Sequence, residues 1–312
     1  MNYQYHFLNR QIFSDIPLNF LQSTSFNNAT DIVVCKKILS QGYYSHNVFT
    51  IGVNKVSTSE YMFVYFREAL FYVKLKGSNQ PDFIYYNPQT KVEKSLFWLI
   101  FQSTILPFLA YQWGVIPINV AGIINNGETI LLAGKRGTGK SMLLNLLMQK
   151  NYTFFTDSFA GLFQSEDGTI KAYPNGPFID NWETNYALIG QDMPANTLAL
   201  RPNLPKYRTF IDIKQDHLPR KIKVIIFLES NPELTESEIV SLNSKESFTL
   251  LHTILYQPVL GKYANINQLV FEKFSGIIRH IQCYKLNRFM QLNQLNECCD
   301  LIINHFFTDG EL

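Results

Sequence analysis

Residues 130–148, ILLAGKRGTGKSMLLNLLM, decide how this chain is interpreted. The run GKRGTGKS at 134–141 completes the pattern G-x-x-x-x-G-K-[ST], the P-loop or Walker A motif. An apolar run at 129–133 predicts a buried strand before the glycines, and the leucine spacing of 141–150 predicts a helix after them. Strand, glycine loop and helix in this order form the context that the motif requires. A glycine-rich turn with a chance lysine is the alternative, which this context disfavours.

The chemistry of the loop predicts a nucleoside triphosphate site. Glycines let the backbone N–H groups turn inward around phosphate oxygens, and the helix N-terminus adds a partial positive charge. We expect Lys140 to reach the β- and γ-phosphates of ATP or another nucleoside triphosphate, and the Ser141 hydroxyl to bind Mg²⁺. The predicted nucleotide-binding residues are Gly134, Lys135, Arg136, Gly137, Thr138, Gly139, Lys140 and Ser141.

Composition places the chain among globular proteins. Its 312 residues allow one large domain or two smaller ones, and an apolar fraction of 46% suffices for a substantial core. The formal net charge of +2 gives no bias towards nucleic acid or anionic membranes, and no apolar run is long enough to span a bilayer. The four cysteines lack zinc-ligand spacing, so we expect buried free thiols in a cytoplasmic protein. A homo-oligomer stays open.

Two regions are predicted, a strand-rich N-terminal region at 1–90 and a P-loop domain at 91–312. Short aromatic and β-branched runs predict the strands of the first region, at 31–37, 48–53, 61–66, 69–75 and 82–87. This region is either a structural module or a docking site for a partner peptide. From 93 to 114 the apolar spacing becomes helical, and Pro107 predicts a kink or a new turn there.

The second region is predicted to begin with strands and to end in helices. A hairpin turn at Asn125-Asn126-Gly127 and another around Asp167-Gly168 are expected, with a loop-rich stretch at 175–190. The predicted strands are 116–124, 129–133, 152–156, 210–213 and 223–228. The predicted helices are 237–242, 245–256, 264–280 and 292–307, which makes the C-terminal part a helical tail.

An acidic residue stands at the end of the strand that follows the P-loop helix. Asp157 comes directly after the apolar run YTFFT, where P-loop enzymes carry a carboxylate on the Mg²⁺ side. A turn or capping aspartate is the alternative. We favour function, and predict Ser141 and Asp157 as Mg²⁺ ligands, because Mg²⁺ prefers oxygen donors. The six histidines are scattered and predict no metal site.

The order of these landmarks resembles a known family. The run WGVIPIN at 113–119, the hairpin, GKRGTGKS, and KNYTFFTDS at 150–158 are similar to the HPr kinase/phosphorylase family. The opening NRQIFSDIPL at 9–18 and the tail at 270–286 resemble its shorter relatives, HPr kinase-like enzymes that phosphorylate ribosomally made precursor peptides. The resemblance implies an α/β fold with a phosphoenolpyruvate-carboxykinase-like P-loop core and a twisted mixed sheet. It also implies ATP, Mg²⁺ and phosphoryl transfer to a serine or threonine hydroxyl.

Two positions depart from the family's pattern. The family usually has two consecutive aspartates after the strand, and here Asp157 is followed by Ser158. It usually has a histidine before the hairpin, at the position that is Asn119 here. The second aspartate is the usual proton acceptor of the bifunctional enzymes, so these neutral residues predict a kinase without phosphorylase activity. Both can still orient groups by hydrogen bonding, so the predicted catalytic residues are Asp157, Lys140, Asn119 and Ser158.

Three further acidic residues each have two interpretations. Asp180 and Glu183 lie roughly where the bifunctional enzymes carry a Mg²⁺-associated glutamate, although surface charge is the favoured interpretation. Glu229 ends the strand predicted at 223–228 and could serve as the catalytic acid of an ATPase. That role is disfavoured because Asp157 already fills the acidic-strand position.

A basic cluster precedes the strand predicted at 210–213. Arg201, Lys206 and Arg208 either neutralise a transferring phosphoryl group or lie on a surface loop. The leading hypothesis is an ATP- and Mg²⁺-dependent kinase that acts on a serine or threonine of a peptide or small protein. The alternatives are a nucleotide-binding regulatory or scaffold protein that has lost transfer activity, and a simple NTPase. Neither nucleic acid nor a membrane is an expected partner.

Overall fold

A computed structural model shows a mixed α/β architecture that divides into two compact units, Met1–Gln102 and Ser103–Leu312. It describes residues 3–8, 10–18, 21–23, 31–37, 52–65, 68–76, 82–87, 93–201, 203–212, 218–231, 234–264, 266–288 and 295–307. The predicted functional division into 1–90 and 91–312 stays a prediction.

The first unit is built on an eight-stranded mixed sheet in the order β3-β1-β2-β4-β8-β7-β6-β5. Its elements are β1 (Tyr3–Phe7), β2 (Arg10–Ser14), β3 (Gln22–Ser23), β4 (Ile32–Lys36), β5 (Gly52–Lys55), β6 (Glu60–Tyr65), β7 (Glu68–Lys74), β8 (Asp82–Tyr86) and α1 (Lys94–Ile100). The β-branched and aromatic runs fit a pleated surface, which is why they form these strands. Of the strand predicted at 48–53, residues 48–51 lie outside the described part of the chain.

The helix predicted at 93–114 is irregular just before Pro107, the residue at which a kink or a new turn was predicted. After α1 the chain widens into a π-helical stretch, Phe101–Ile105, and then continues as α2 (Leu106–Gln112). Pro107 lies in the first turn of α2. Proline has no N–H to donate and its ring crowds the preceding turn, so it suits the first turn of a helix and disturbs the one before.

The second unit is built on a nine-stranded mixed sheet in the order β12-β10-β11-β18-β14-β13-β9, with β20 also paired to β18 and β19 to β20. The strands are β9 (Ile116–Ile118), β10 (Val120–Asn125), β11 (Glu128–Ala133), β12 (Thr153–Thr156), β13 (Ala160–Gln164), β14 (Ile170–Pro174), β18 (Arg220–Ser230), β19 (Glu238–Ser241) and β20 (Gln282–Arg288). A separate three-stranded sheet, β15-β17-β16, consists of β15 (Phe178–Trp182), β16 (Thr197–Arg201) and β17 (Leu204–Phe210). The helices are α3 (Lys140–Gln149), α4 (Glu183–Leu188), α5 (Ser244–Thr253), α6 (Pro258–Gly261), α7 (Asn267–His280) and α8 (Leu295–Phe306).

Several strands of the second unit end at one edge of the large sheet. Strands β11, β18 and β20 are mutually parallel, and β12 runs in the same direction because it and β11 are both antiparallel to β10. The carboxyl ends of these four strands and the start of β10 therefore share an edge. In open α/β sheets this edge is where ligands bind.

The hairpin before the P-loop has the predicted turn. Asn125 pairs with Glu128, which leaves Asn126 and Gly127 as a two-residue loop with φ angles of 48° and 81°. Two positive φ angles define the type I′ turn, whose twist matches that of the strands it joins.

One apolar cluster holds α3 against the sheet. It joins strand residues such as Ile123 and Leu132 to Leu143 and Leu147 of α3 and Ile302 of α8, all fully buried. Each such side chain contributes about 1.5–3 kcal/mol through burial, so the start of α3 is rigidly placed. Cys283, Cys298 and Cys299 are buried free thiols, as predicted, whereas Cys35 is only half-buried.

Two strand predictions are wrong in detail. Residues 116–124 form two strands, β9 and β10, because β9 pairs with β13 and β10 pairs with β11 and β12. The division into two strands depends on pairing with strands that are remote in sequence, which a local pattern does not show. The strand predicted at 210–213 is instead β17, which ends at Phe210.

The C-terminal part is less helical than predicted. Residues 237–242 were expected to be a helix, but Glu238–Ser241 is the strand β19, antiparallel to β20. Strand β20 itself follows α7 where only helical signals were identified. Cross-strand pairing outweighs intrinsic preference in segments this short. The loop-rich stretch at 175–190 contains β15 and α4.

Candidate functional site

The P-loop sequence connects β11 to α3 through backbone geometry that requires glycine. Gly134 and Gly139 have φ angles of 146° and 88°, which L side chains rarely adopt. A Cβ on Gly134 would lie 2.8 Å from Thr138 Oγ1 and 3.1 Å from the Leu228 carbonyl oxygen. The loop is therefore closely packed against the end of β18. Lys135 and Arg136, both predicted to bind nucleotide, have exposed side chains.

Lys140 lies in a buried position, where its ammonium group is bonded to backbone carbonyl groups. Its Nζ donates to the carbonyl oxygens of Gly134 at 2.8 Å and Lys135 at 2.9 Å, and the residue is 8% exposed. The pKa of Lys140 is lowered to about 8, chiefly by burial; the Asp157 carboxylate opposes this shift, and the charges of Arg136 and Lys206 add to it. An ammonium held this way gains from a neighbouring anion.

Ser141 and Asp157 are in direct contact. The Ser141 hydroxyl donates to the two carboxylate oxygens of Asp157, at 3.0 Å and 3.2 Å. Asp157 is 2% exposed, and its Oδ2 also accepts from the backbone N–H of Asp180 at 3.1 Å. Burial raises the pKa of Asp157, and the Asp180 carboxylate raises it further, although hydrogen bonds from Asp180, Ser158 and Ser141 oppose the shift.

The structure brings Asp180 and Arg208 into the same site, where surface charge was favoured for Asp180. Arg208 Nε and Nη2 donate to the two Asp180 carboxylate oxygens, each at 2.7 Å, and both side chains are 9% exposed. The Arg208 guanidinium also lies 3.7 Å from the centroid of the Phe178 ring. Sequence reasoning missed this pair because Asp180 and Arg208 meet only through the pairing of β15 with β17.

Of the other charged candidates, one lies near the P-loop lysine and three are exposed. Lys206 is half-buried and close enough to lower the pKa of Lys140. Glu183 and Arg201 are exposed, at the start of α4 and on β16. Glu229 forms an exposed ion pair with Lys285, with Nζ and Oε2 3.2 Å apart, a geometry typical of a surface pair.

Asn119 and Ser158 lie at the same sheet edge. Val120, the first residue of β10, pairs with Ala133, the last residue before the P-loop. Asn119 directly precedes Val120 and therefore lies near the start of the P-loop. The Asn119 N–H donates to the Ile254 carbonyl oxygen at 2.6 Å. Ser158 has a φ angle of 72° and its backbone N–H donates to Asp157. Both neutral residues are thus near the predicted site, and their roles stay predictions.

Tyr256 was not identified from the sequence. Burial raises its pKa to about 12, and the charges of Arg136, Asp180, Arg208 and Asp157 also act on it, so its hydroxyl is neutral and close to the charged cluster. Its backbone N–H donates to the Pro117 carbonyl oxygen at 2.9 Å. A tyrosine following a helix carries no signal that would have indicated this position.

Arg288 was also missed. It ends β20 and is 8% exposed, and its Nη2 is 3.2 Å from where a Cβ on Gly139 would stand.

The side chains of Ser141 and Asp157 are compatible with Mg²⁺ binding. The Ser141 hydroxyl and Asp157 carboxylate are hard oxygen donors, and Mg²⁺ is commonly held by one or two such groups together with substrate phosphates. Within the described ranges, no group of three His, Cys, Asp or Glu side chains forms a metal cluster.

Comparisons with known proteins give a distant likeness. No family model matches the chain, and no curated protein matches it. Among solved structures, the chain is similar to the HPr(Ser) kinase/phosphatase from Coxiella burnetii, with 12% sequence identity and a TM-score of 0.33. The match covers 61% of this chain and 90% of that chain. At this similarity, arguments about function depend on the geometry of the site itself.

The sequence predicts no segment that spans a bilayer. Among the helices of the described part of the chain, none combines the length and the apolar character that a bilayer span needs.

Proposed function

We propose that the chain transfers the γ-phosphoryl group of ATP, or of another nucleoside triphosphate, to a serine or threonine hydroxyl of a peptide or small protein. The observation that carries the proposal is the contact of Ser141 with the buried carboxylate of Asp157, beside the P-loop lysine. Phosphoryl transfer needs a phosphate cradle, a metal position and a group that orients the nucleophile, and these residues supply the three.

The P-loop binds the triphosphate in this proposal. Backbone N–H groups of 134–141 and the start of α3 attract phosphate oxygens, and Lys140 exchanges its carbonyl partners for the β- and γ-phosphates. Ser141 and Asp157 hold Mg²⁺, which supplies charge neutralisation between the phosphates when bound.

Asp157 receives the proton of the acceptor hydroxyl. The acceptor oxygen forms a bond to the γ-phosphorus while the bond from that phosphorus to the bridging oxygen of ADP breaks. The buried carboxylate of Asp157 lies beside the phosphate loop, where it can accept this proton. The Asp180–Arg208 ion pair holds the segment whose N–H binds Asp157, so it positions the base without taking the proton.

The acceptor is proposed to be a ribosomally made peptide, and the strand-rich region at 1–90 to dock it. Nucleic acid and membranes are not proposed partners, and a homo-oligomer stays open. The free state of Cys35, Cys283, Cys298 and Cys299 supports a reducing, cytoplasmic location.

A transfer assay on Asp157→Asn tests the proposal. The substitution keeps the shape of the side chain and removes its charge. We expect transfer to the cognate acceptor to fall at least about a hundredfold, the lower end of a general-base contribution, while the Kd for MgATP changes less than about tenfold. Asp300→Asn is the matched control, because Asp300 is an exposed aspartate on α8. Equal transfer by the wild type and Asp157→Asn would remove Asp157 from the mechanism.

A nucleotide-binding regulatory or scaffold protein is the second candidate. The neutral side chains of Asn119 and Ser158, at positions where the resembled family has titratable groups, favour it. A wild type that binds MgATP but does not phosphorylate its verified acceptor would establish this second function. Steady phosphate release without any acceptor would instead indicate a simple NTPase.

A further inference from the structure

Arg288 places a buried positive charge against the phosphate loop. Its Nη2 and Cζ atoms are 3.2 Å and 3.5 Å from the position that a Cβ on Gly139 would take. Gly139 is the residue before α3, a ten-residue helix whose first N–H groups face the loop. The guanidinium and the positive end of this helix are therefore neighbours.

The charge of Arg288 has no carboxylate partner within the described residues. Burial and the Cys298 thiol are the influences on its pKa, with no Asp or Glu among the described residues acting on it, and its buried Nε has no hydrogen-bond partner there. The titratable group that acts on it is the Cys298 thiol, whose pKa is raised by burial, so that the thiol is neutral. Burying an unpaired cation is costly. A bound anion would remove that cost.

The sheet topology places Arg288 and Asp157 on opposite flanks of the loop. Strand β11, which leads into the loop, has β10 and then β12 on one side and β18 and then β20 on the other. Asp157 follows β12 and Arg288 ends β20, at the same edge of the sheet. The flank of Asp157 carries negative charge and suits a metal, whereas the flank of Arg288 carries positive charge and suits phosphate.

We propose that Arg288 binds a phosphate oxygen of the nucleotide held by the P-loop, an inference that rests on the proposed function. Arginine recognises phosphate through paired N–H donors, which a lysine cannot reproduce. Arg288 complements Lys140, whose ammonium approaches from within the loop. The contact also gives a second reason for glycine at position 139, since a side chain there would press on the guanidinium.

The test measures binding, so that it does not depend on transfer. The Kd values of MgATP and of magnesium tripolyphosphate are determined by titration calorimetry for the wild type, Arg288→Met and Arg288→Lys. We expect Arg288→Met to weaken both ligands about 10- to 100-fold, the loss of a charge-assisted hydrogen bond, and Arg288→Lys to recover part of it. Arg279→Met is the matched control, because Arg279 is exposed near the end of α7.

The melting temperature of the ligand-free protein separates binding from a structural role. Because an uncompensated buried charge destabilises a fold, we expect Arg288→Met to melt at the wild-type temperature or above. Unchanged Kd values, weakening of MgATP alone, or a lower melting temperature with no rescue by Arg288→Lys would each overturn the inference. A wild type that binds both ligands without transfer activity would refute the kinase proposal. The Kd values of Arg288→Met and Arg288→Lys would still decide whether Arg288 binds phosphate. A wild type that binds neither ligand would refute both.

Discussion

Nucleotide binding should protonate Lys140, and the number of protons taken up per site can be measured. Burial lowers the pKa of Lys140 to about 8, so at pH 8 about half of these lysines are neutral in the free protein. A phosphate group beside Nζ favours the charged form and raises the pKa. Binding at pH 8 should therefore take up about half a proton per site, whereas at pH 6.5 only about 3% of the lysines remain to be protonated.

Titration calorimetry in buffers of different ionisation enthalpy measures this uptake. At each pH, the observed enthalpy of MgATP binding is plotted against the ionisation enthalpy of the buffer, and the slope is the number of protons exchanged. Lys140→Arg is the matched control because arginine stays charged throughout this range. It also accounts for any proton that the nucleotide itself exchanges.

The expected result is an excess uptake in the wild type over Lys140→Arg that is large at pH 8 and disappears at pH 6.5. The same number of protons in both proteins at pH 8 would show that Lys140 does not change its charge at the bound phosphate. Lys140→Ala should also weaken MgATP binding, by about 1.5–3 kcal/mol for a charge-assisted contact.

Three other predictions concern the surroundings of Asp157. Asp180→Asn should move the acidic limb of the transfer pH–rate profile to lower pH, because the Asp180 carboxylate raises the pKa of Asp157; an unmoved limb would assign that limb to another group. Arg208→Met should lower the free energy of unfolding in urea by about 3–5 kcal/mol, since it leaves Asp180 buried and unpaired, whereas Lys150→Met breaks an exposed ion pair and should have little effect. A phosphoserine form of the acceptor, incubated with inorganic phosphate, should release no pyrophosphate, because the two positions that are titratable in the resembled family are neutral here; release of pyrophosphate would contradict this.

The parts of the site that are close in sequence could be predicted from it. The strand, the glycine loop and the helix are consecutive, so the pattern at 134–141 and its apolar flanks suffice to place Lys140 and Ser141. Asn126 and Gly127 are adjacent and form a turn whose geometry follows from their residue types. Asp157 directly follows a short apolar strand, which predicts a position at the sheet edge, and its carboxylate accepts a hydrogen bond from Ser141.

Contacts between remote segments could not be predicted in the same way. The partner of Asp180 is set by the pairing of β15 with β17, and the break at Asn119 by the different partners of β9 and β10. The helix predicted at 237–242 is wrong because the cross-strand neighbours of β19 lie in β20, beyond three helices in the sequence.

The sequence by itself determined where phosphate is expected to bind, since the turn geometry of a P-loop depends on glycines that are neighbours in the chain. Only the tertiary structure decided which charges surround that position. Arg208 reaches Asp180 across a sheet, and Arg288 reaches Gly139 from the end of a strand on the far side of β18. The physical reason is that burial and strand register, which set the partner and the pKa of each charged group, are properties of segments brought together by folding.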